Sequence, residues 1–198
     1  MRFPWAAAVY TGALGLGAHA VGRLSPARRE RLLRACSTNV DNLRAGRWYT
    51  LATSAFLTEE VPSPAYTGLL VAALGGAETV WGARRTAGVF AVGHVGASLL
   101  VYGGLRAVGA SPGTARAIDV GPSYGLGAVL AHEAAALAHP ALRTAASTVL
   151  LAIGVRPLLR RRPGFTDVGH LAALALGFAS ANPVRNRRES RVPALAGR

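Results

Sequence analysis

The chain contains no lysine and a single cysteine, Cys36. One thiol excludes an intrachain disulfide and any metal site built from cysteines. Charge is scarce too: 16% of the residues are charged, against about 25% in an ordinary soluble domain. Only nine residues are acidic, and aromatics make up 7%. The charges that exist gather in short connectors, leaving long apolar stretches between them. Together with 51% apolar residues, this is the pattern of a polytopic membrane protein.

The 22 basic residues are all arginine and give a net charge of +13. That balance alone points towards nucleic acid. The arginines, however, lie between apolar runs, no zinc-finger or RNP-type motif is present, and few aromatics are available to stack on bases. They read as headgroup-facing connectors, with the lipid bilayer as partner and no nucleic acid. No cofactor or metal motif appears.

Six apolar runs predict an all-α bundle of six transmembrane helices over residues 1–181. They fall at 3–22, 65–81, 86–105, from near 122 to 139, 141–158 and 166–181. The first is long enough to cross a bilayer at about 1.5 Å per residue, and the fourth and sixth are shorter. Arg2, the first run and Ala18-His19-Ala20 also imitate a cleaved signal peptide. The run's length, and the spans that follow, favour a retained helix. In the connector 23–47, Ser25-Pro26 opens a short helix with Leu32 and Leu33 on one face and Arg28, Arg29, Arg31 and Arg34 on the other, suited to the interface plane. Arg84 and Arg85 are expected to form the turn between the second and third spans. Residues 182–198 read as a basic, disordered tail.

The fourth and sixth runs carry the chemistry. Each opens with the same tripeptide, Asp119-Val120-Gly121 and Asp167-Val168-Gly169. Both aspartates are expected to cap helix starts. Just inside lie Ser123 and His170. The fourth run is too short for a hydrocarbon core roughly 30 Å thick, so its start is expected below the membrane surface. The two helices run parallel in a six-span topology, which predicts that Ser123 and His170 meet at one depth. A neutral imidazole in hydrogen-bond reach turns a serine into a nucleophile. The small residues Gly121 and Gly125 on one helix, and Gly169, Ala173 and Gly177 on the other, predict close backbone contact within lipid. Glu78, His94 and Glu133 are polar groups within spans, with no catalytic role assigned.

Gly121-Pro122-Ser123, with His170 47 residues later, resembles the rhomboid intramembrane proteases. The Arg47-Trp48-Tyr49-Thr50 segment and Gly75-Gly76-Ala77-Glu78 are similar to family segments around the second helix. Ser37–Leu43 resembles a divergent actinobacterial rhomboid-like group. The resemblance implies a serine protease of the cell membrane that cuts transmembrane helices with a Ser123–His170 dyad, with Gly121, Pro122 and Tyr124 around the oxyanion. It also implies that both termini are cytoplasmic. This sequence departs from the family pattern at three places: Tyr124 replaces a glycine after the serine, Gly127 replaces an aromatic, and residues 63–68 lack the family's oxyanion-binding His and Asn. The alternative implied by those departures is a catalytically inactive relative that binds transmembrane helices or perturbs the bilayer.

Overall fold

The computed structural model describes residues 3–181; these fold into helices joined by irregular connectors, with no strand among them. The tail expected at 182–198 lies outside the described residues. Helix α1 spans Trp5–Gly22. The connector after it folds into three short helices, α2 at Pro26–Cys36, α3 at Val40–Arg44 and α4 at Thr50–Thr53, with a 3-10 turn at Ser54–Phe56. Long helices follow: α5 at Pro64–Trp81 and α6 at Ala83–Ala107. The short α7, Pro112–Ala115, precedes α8 at Ser123–Ala136. Helix α9 covers Pro140–Val155 and continues as a 3-10 turn to Leu159, and α10 covers Phe165–Ser180. Proline opens α2, α5 and α9, where its missing amide hydrogen costs nothing.

Helix α8 is the axis of the molecule. It is buried on all sides, by α6, α10, α5 and α9. Its neighbours approach through missing side chains. A Cβ on Gly93 of α6 would lie 2.1 Å from the Cβ of Ala128, and one on Gly177 of α10 would lie 2.2 Å from the Ala128 carbonyl oxygen. Ala128 is thus the node at which three helices meet. Within lipid such contacts replace the hydrophobic drive that water provides elsewhere. Large aliphatics instead face outward, among them Leu142, Val149 and Ile153 on α9. By length and composition Ala83–Ala107 and Pro140–Leu159 are able to cross a membrane, and Phe165–Ser180 is a shorter apolar helix.

Two expectations are corrected. The turn between α5 and α6 is not Arg84-Arg85 but the single residue Gly82, at φ +80°, a conformation that favours glycine; both arginines belong to the first turn of α6. Glu78 is not a loose polar group within a span. Its carboxylate accepts hydrogen bonds from the amides of Ala6 at 3.1 Å and Ala7 at 2.7 Å, and so caps the start of α1 from the neighbouring helix.

Candidate active site

Ser123 is the first residue of α8, and His170 lies five residues inside α10. Their side chains meet, with Ser123 Oγ 3.1 Å from His170 Nε2. Ser123 is half-buried and His170 exposed, so the pair is open to its surroundings. Helix α8 has no side-chain cap, and among the described residues no acceptor is present for the amides of Ser123 and Tyr124. Uncaptured N–H groups at a helix start suit developing negative charge.

The two Asp-Val-Gly tripeptides do not play equal parts. Asp119 is not a cap, since it stands four residues before α8 in irregular chain. Asp167 is the third residue of α10, and its carboxylate accepts from the Gly164 amide at 2.8 Å. Ser123 and His170 therefore occupy different registers of their helices, and they meet because α10 begins further from the pair than α8 does.

Asp119 organises the site from behind. Its carboxylate accepts hydrogen bonds from the Tyr102 hydroxyl and, at 3.1 Å, from the Tyr124 hydroxyl. Burial pushes the Asp119 carboxyl up from the ordinary carboxylate range, and the two hydroxyls oppose that rise. The ring of Tyr124 stands edge-on to His170, centroids 5.0 Å apart. To reach Asp119 the phenol crosses α10 at Gly169, where a Cβ would lie 2.3 Å from the hydroxyl oxygen. Tyr124, Gly169 and Asp119 are thus one unit beside the imidazole.

Gly121 has φ +130°, in the region favoured by glycine, and lets the chain turn into Pro122, which is fully buried. The Gly121 amide donates to the Ser54 carbonyl at 2.7 Å. Ser54 Oγ lies 3.0 Å from His94 Nε2 and 2.9 Å from Thr38 Oγ1. Ser37 Oγ accepts from the Asp119 amide at 2.7 Å. The connector after α1 thereby holds the turn that presents Ser123, through side chains that are almost wholly buried.

Of the small residues expected on one α8–α10 seam, Gly169, Ala173 and Gly177 lie buried on the α8 side of α10. Gly125 instead faces α6, where its Cβ would meet Phe90 at 2.5 Å, and Gly121 lies outside the helix, facing open space. Sequence reasoning missed Tyr102, Ser37, Thr38 and Ser54. The one available signal was the polar run Ser37-Thr38-Asn39, unusual between apolar spans. Among the described residues no group of three or more His, Cys, Asp or Glu is placed to hold a metal ion.

The family model for rhomboid-like proteins matches residues 2–190. No curated protein matches the chain, and no solved structure does. A match over nearly the whole sequence, to a family of membrane-embedded helical proteins, accords with the helical bundle and its outward aliphatics: the chain belongs to the rhomboid-like family.

Proposed function

We propose that this integral membrane protein is a multi-pass intramembrane serine protease of the cell membrane, with α1, α5, α6, α8, α9 and α10 as its six spans. The observation that carries the reading is the 3.1 Å contact between Ser123 Oγ and His170 Nε2 on two separate helices. In the reaction Ser123 Oγ attacks the carbonyl carbon of a peptide bond in a substrate transmembrane helix, and its proton passes to His170 Nε2. The tetrahedral oxygen takes the free amides of Ser123 and Tyr124. The C–N bond breaks, His170 returns the proton to the leaving amine, and an acyl group remains on Ser123. Water, deprotonated by His170, then attacks the acyl carbon; the bond to Ser123 Oγ breaks, His170 returns the proton to Ser123, and the acid leaves. Helix α8 has 14 residues, about 21 Å of rise, so its first residue lies beneath the surface of a hydrocarbon core of roughly 30 Å.

The arrangement is a dyad. Asp119 does not touch the imidazole, and Tyr124, packed edge-on, orients the ring where a third hydrogen-bonding group would otherwise do so. A fluorophosphonate probe tests the reading. The folded chain is expected to be labelled, and Ser123→Ala and His170→Ala to abolish labelling. A folded wild-type chain that stays unlabelled supports the second reading, a silent relative that binds transmembrane helices or perturbs the bilayer. One observation favours that reading: the residues opening α5, Ser63 to Gly68, offer no His or Asn donor for an oxyanion, and one lost donor costs about 10²–10³ in rate.

A further inference from the structure

His94 is buried in α6, only 4% exposed, and takes no step in the reaction. Its imidazole lies between two aromatic rings, with Phe90 stacked at 6.2 Å and Tyr124 tilted at 6.2 Å. Nε2 reaches Ser54 Oγ at 3.0 Å. The neighbours of that contact fix its direction. Thr38 Oγ1 gives its proton to the Thr50 carbonyl at 2.8 Å, so it accepts from Ser54 Oγ at 2.9 Å. The one proton of Ser54 Oγ is then spent, and towards His94 the oxygen accepts. His94 therefore carries its proton on Nε2 and is the donor. An imidazole that donates to a hydroxyl cannot draw a proton from it, so Ser54 and His94 do not form a second dyad. Nδ1 is closed off without a partner. A phenylalanine would fill this place with no buried nitrogen left unmet. What the imidazole adds is the bond to Ser54.

That bond leads to the turn that presents the nucleophile. The Ser54 side chain, 1% exposed, is fixed by α6 through His94 and by the connector through Thr38. Its carbonyl accepts from the Gly121 amide at 2.7 Å. Gly121 has φ +130°, and beyond its chain neighbours nothing lies within 4 Å of where a Cβ would stand. Packing therefore does not hold this glycine, and the hydrogen bond to Ser54 does. Pro122, fully buried and with its φ set by the ring, carries that position on to Ser123. We propose that His94 is a positioning residue of the dyad, which acts through Ser54 to hold the Gly121 turn and so sets Ser123 Oγ within reach of His170. The inference rests on the protease reading and adds to it a residue on a third helix.

The rate of fluorophosphonate labelling of the full chain, followed against probe concentration, tests this. His94→Phe is expected to lower the maximal rate about tenfold, the scale of one lost buried hydrogen bond, with the half-saturating concentration unchanged. His94→Gln keeps an N–H donor in place of Nε2 and is expected to restore most of that rate. Ser54→Ala breaks the same bond from its other end by removing one oxygen, so it stands as the test even where His94→Phe does not fold. It is expected to show the same tenfold loss, and the double variant to be no slower than either single one. A wild-type rate in Ser54→Ala, no recovery in His94→Gln, or losses that multiply in the double variant overturn the assignment and leave the dyad standing. A folded wild-type chain that stays unlabelled overturns the protease reading, and the assignment with it.

Discussion

Gly169 shows how a residue without a side chain decides the chemistry of its neighbours. Its place is taken by the Tyr124 phenol on the way to Asp119, and the same phenol ring backs the imidazole of His170. In Gly169→Ala the added carbon has to displace Tyr124, so fluorophosphonate labelling is expected to fall at least tenfold although Ser123 and His170 are both present. Unchanged labelling would remove Tyr124 from the account. Tyr124→Phe keeps the ring but drops the bond to a buried carboxylate, and the lost hydrogen bond is expected to cost about 1–3 kcal/mol in unfolding free energy. At the other end, Glu78→Ala strips two amides of α1 of their acceptor. A loss of roughly 1–2 kcal/mol is expected, read as a lower melting temperature in detergent, with labelling of Ser123 retained.

At the scale of the helices, the small-residue contacts are more demanding than the apolar runs. Gly177→Ala places a carbon against the backbone of Ala128, which has no rotamer to yield, and α10 must move away from α8. Overpacking of this kind costs about 1–3 kcal/mol, whereas Gly103→Ala, in open space on α6, is expected to be neutral or stabilising. Equal melting temperatures for the two variants would contradict the three-helix node at Ala128. The sequence made most of these helices legible, because prolines and the apolar runs punctuate it strongly, although the turn at Gly82 is expected two residues later, at Arg84-Arg85. It misled over the repeated Asp-Val-Gly. The pattern predicts two equivalent caps, but identical tripeptides carry no information about what approaches them from elsewhere. Asp119 is claimed by two tyrosines, one from α6, and only Asp167 serves its own helix. The expectation that Ser123 and His170 would share a register therefore rested on a symmetry the fold does not have, even though the two side chains lie within hydrogen-bond distance.

Across the whole molecule, the connector between α1 and α5 is the part least legible in advance. It appeared as a basic, interfacial stretch, and α2 does present its arginines outward. Its interior is polar nonetheless, with Ser37, Thr38, Asn39, Asn42, Thr50 and Ser54 buried. Some of their hydrogen bonds depend on partners some 80 positions away, as in Ser37 with Asp119, and no local pattern announces those. The connector ties the Ser123 turn to α6 through Ser54 and His94, so Ser37→Ala combined with Thr38→Val is expected to slow labelling of Ser123 while leaving the helical content intact by circular dichroism.

Ser54 also offers an internal comparison, because it too hydrogen-bonds a histidine, but in a buried setting where its own proton goes to Thr38 Oγ1, whose proton is given to the Thr50 carbonyl. The most direct measurement is site-mapped mass spectrometry of the folded chain after fluorophosphonate treatment. The account predicts a single phosphonyl adduct, on Ser123, absent from His170→Ala. A folded chain with no adduct, or with the adduct on Ser54 instead, would contradict it.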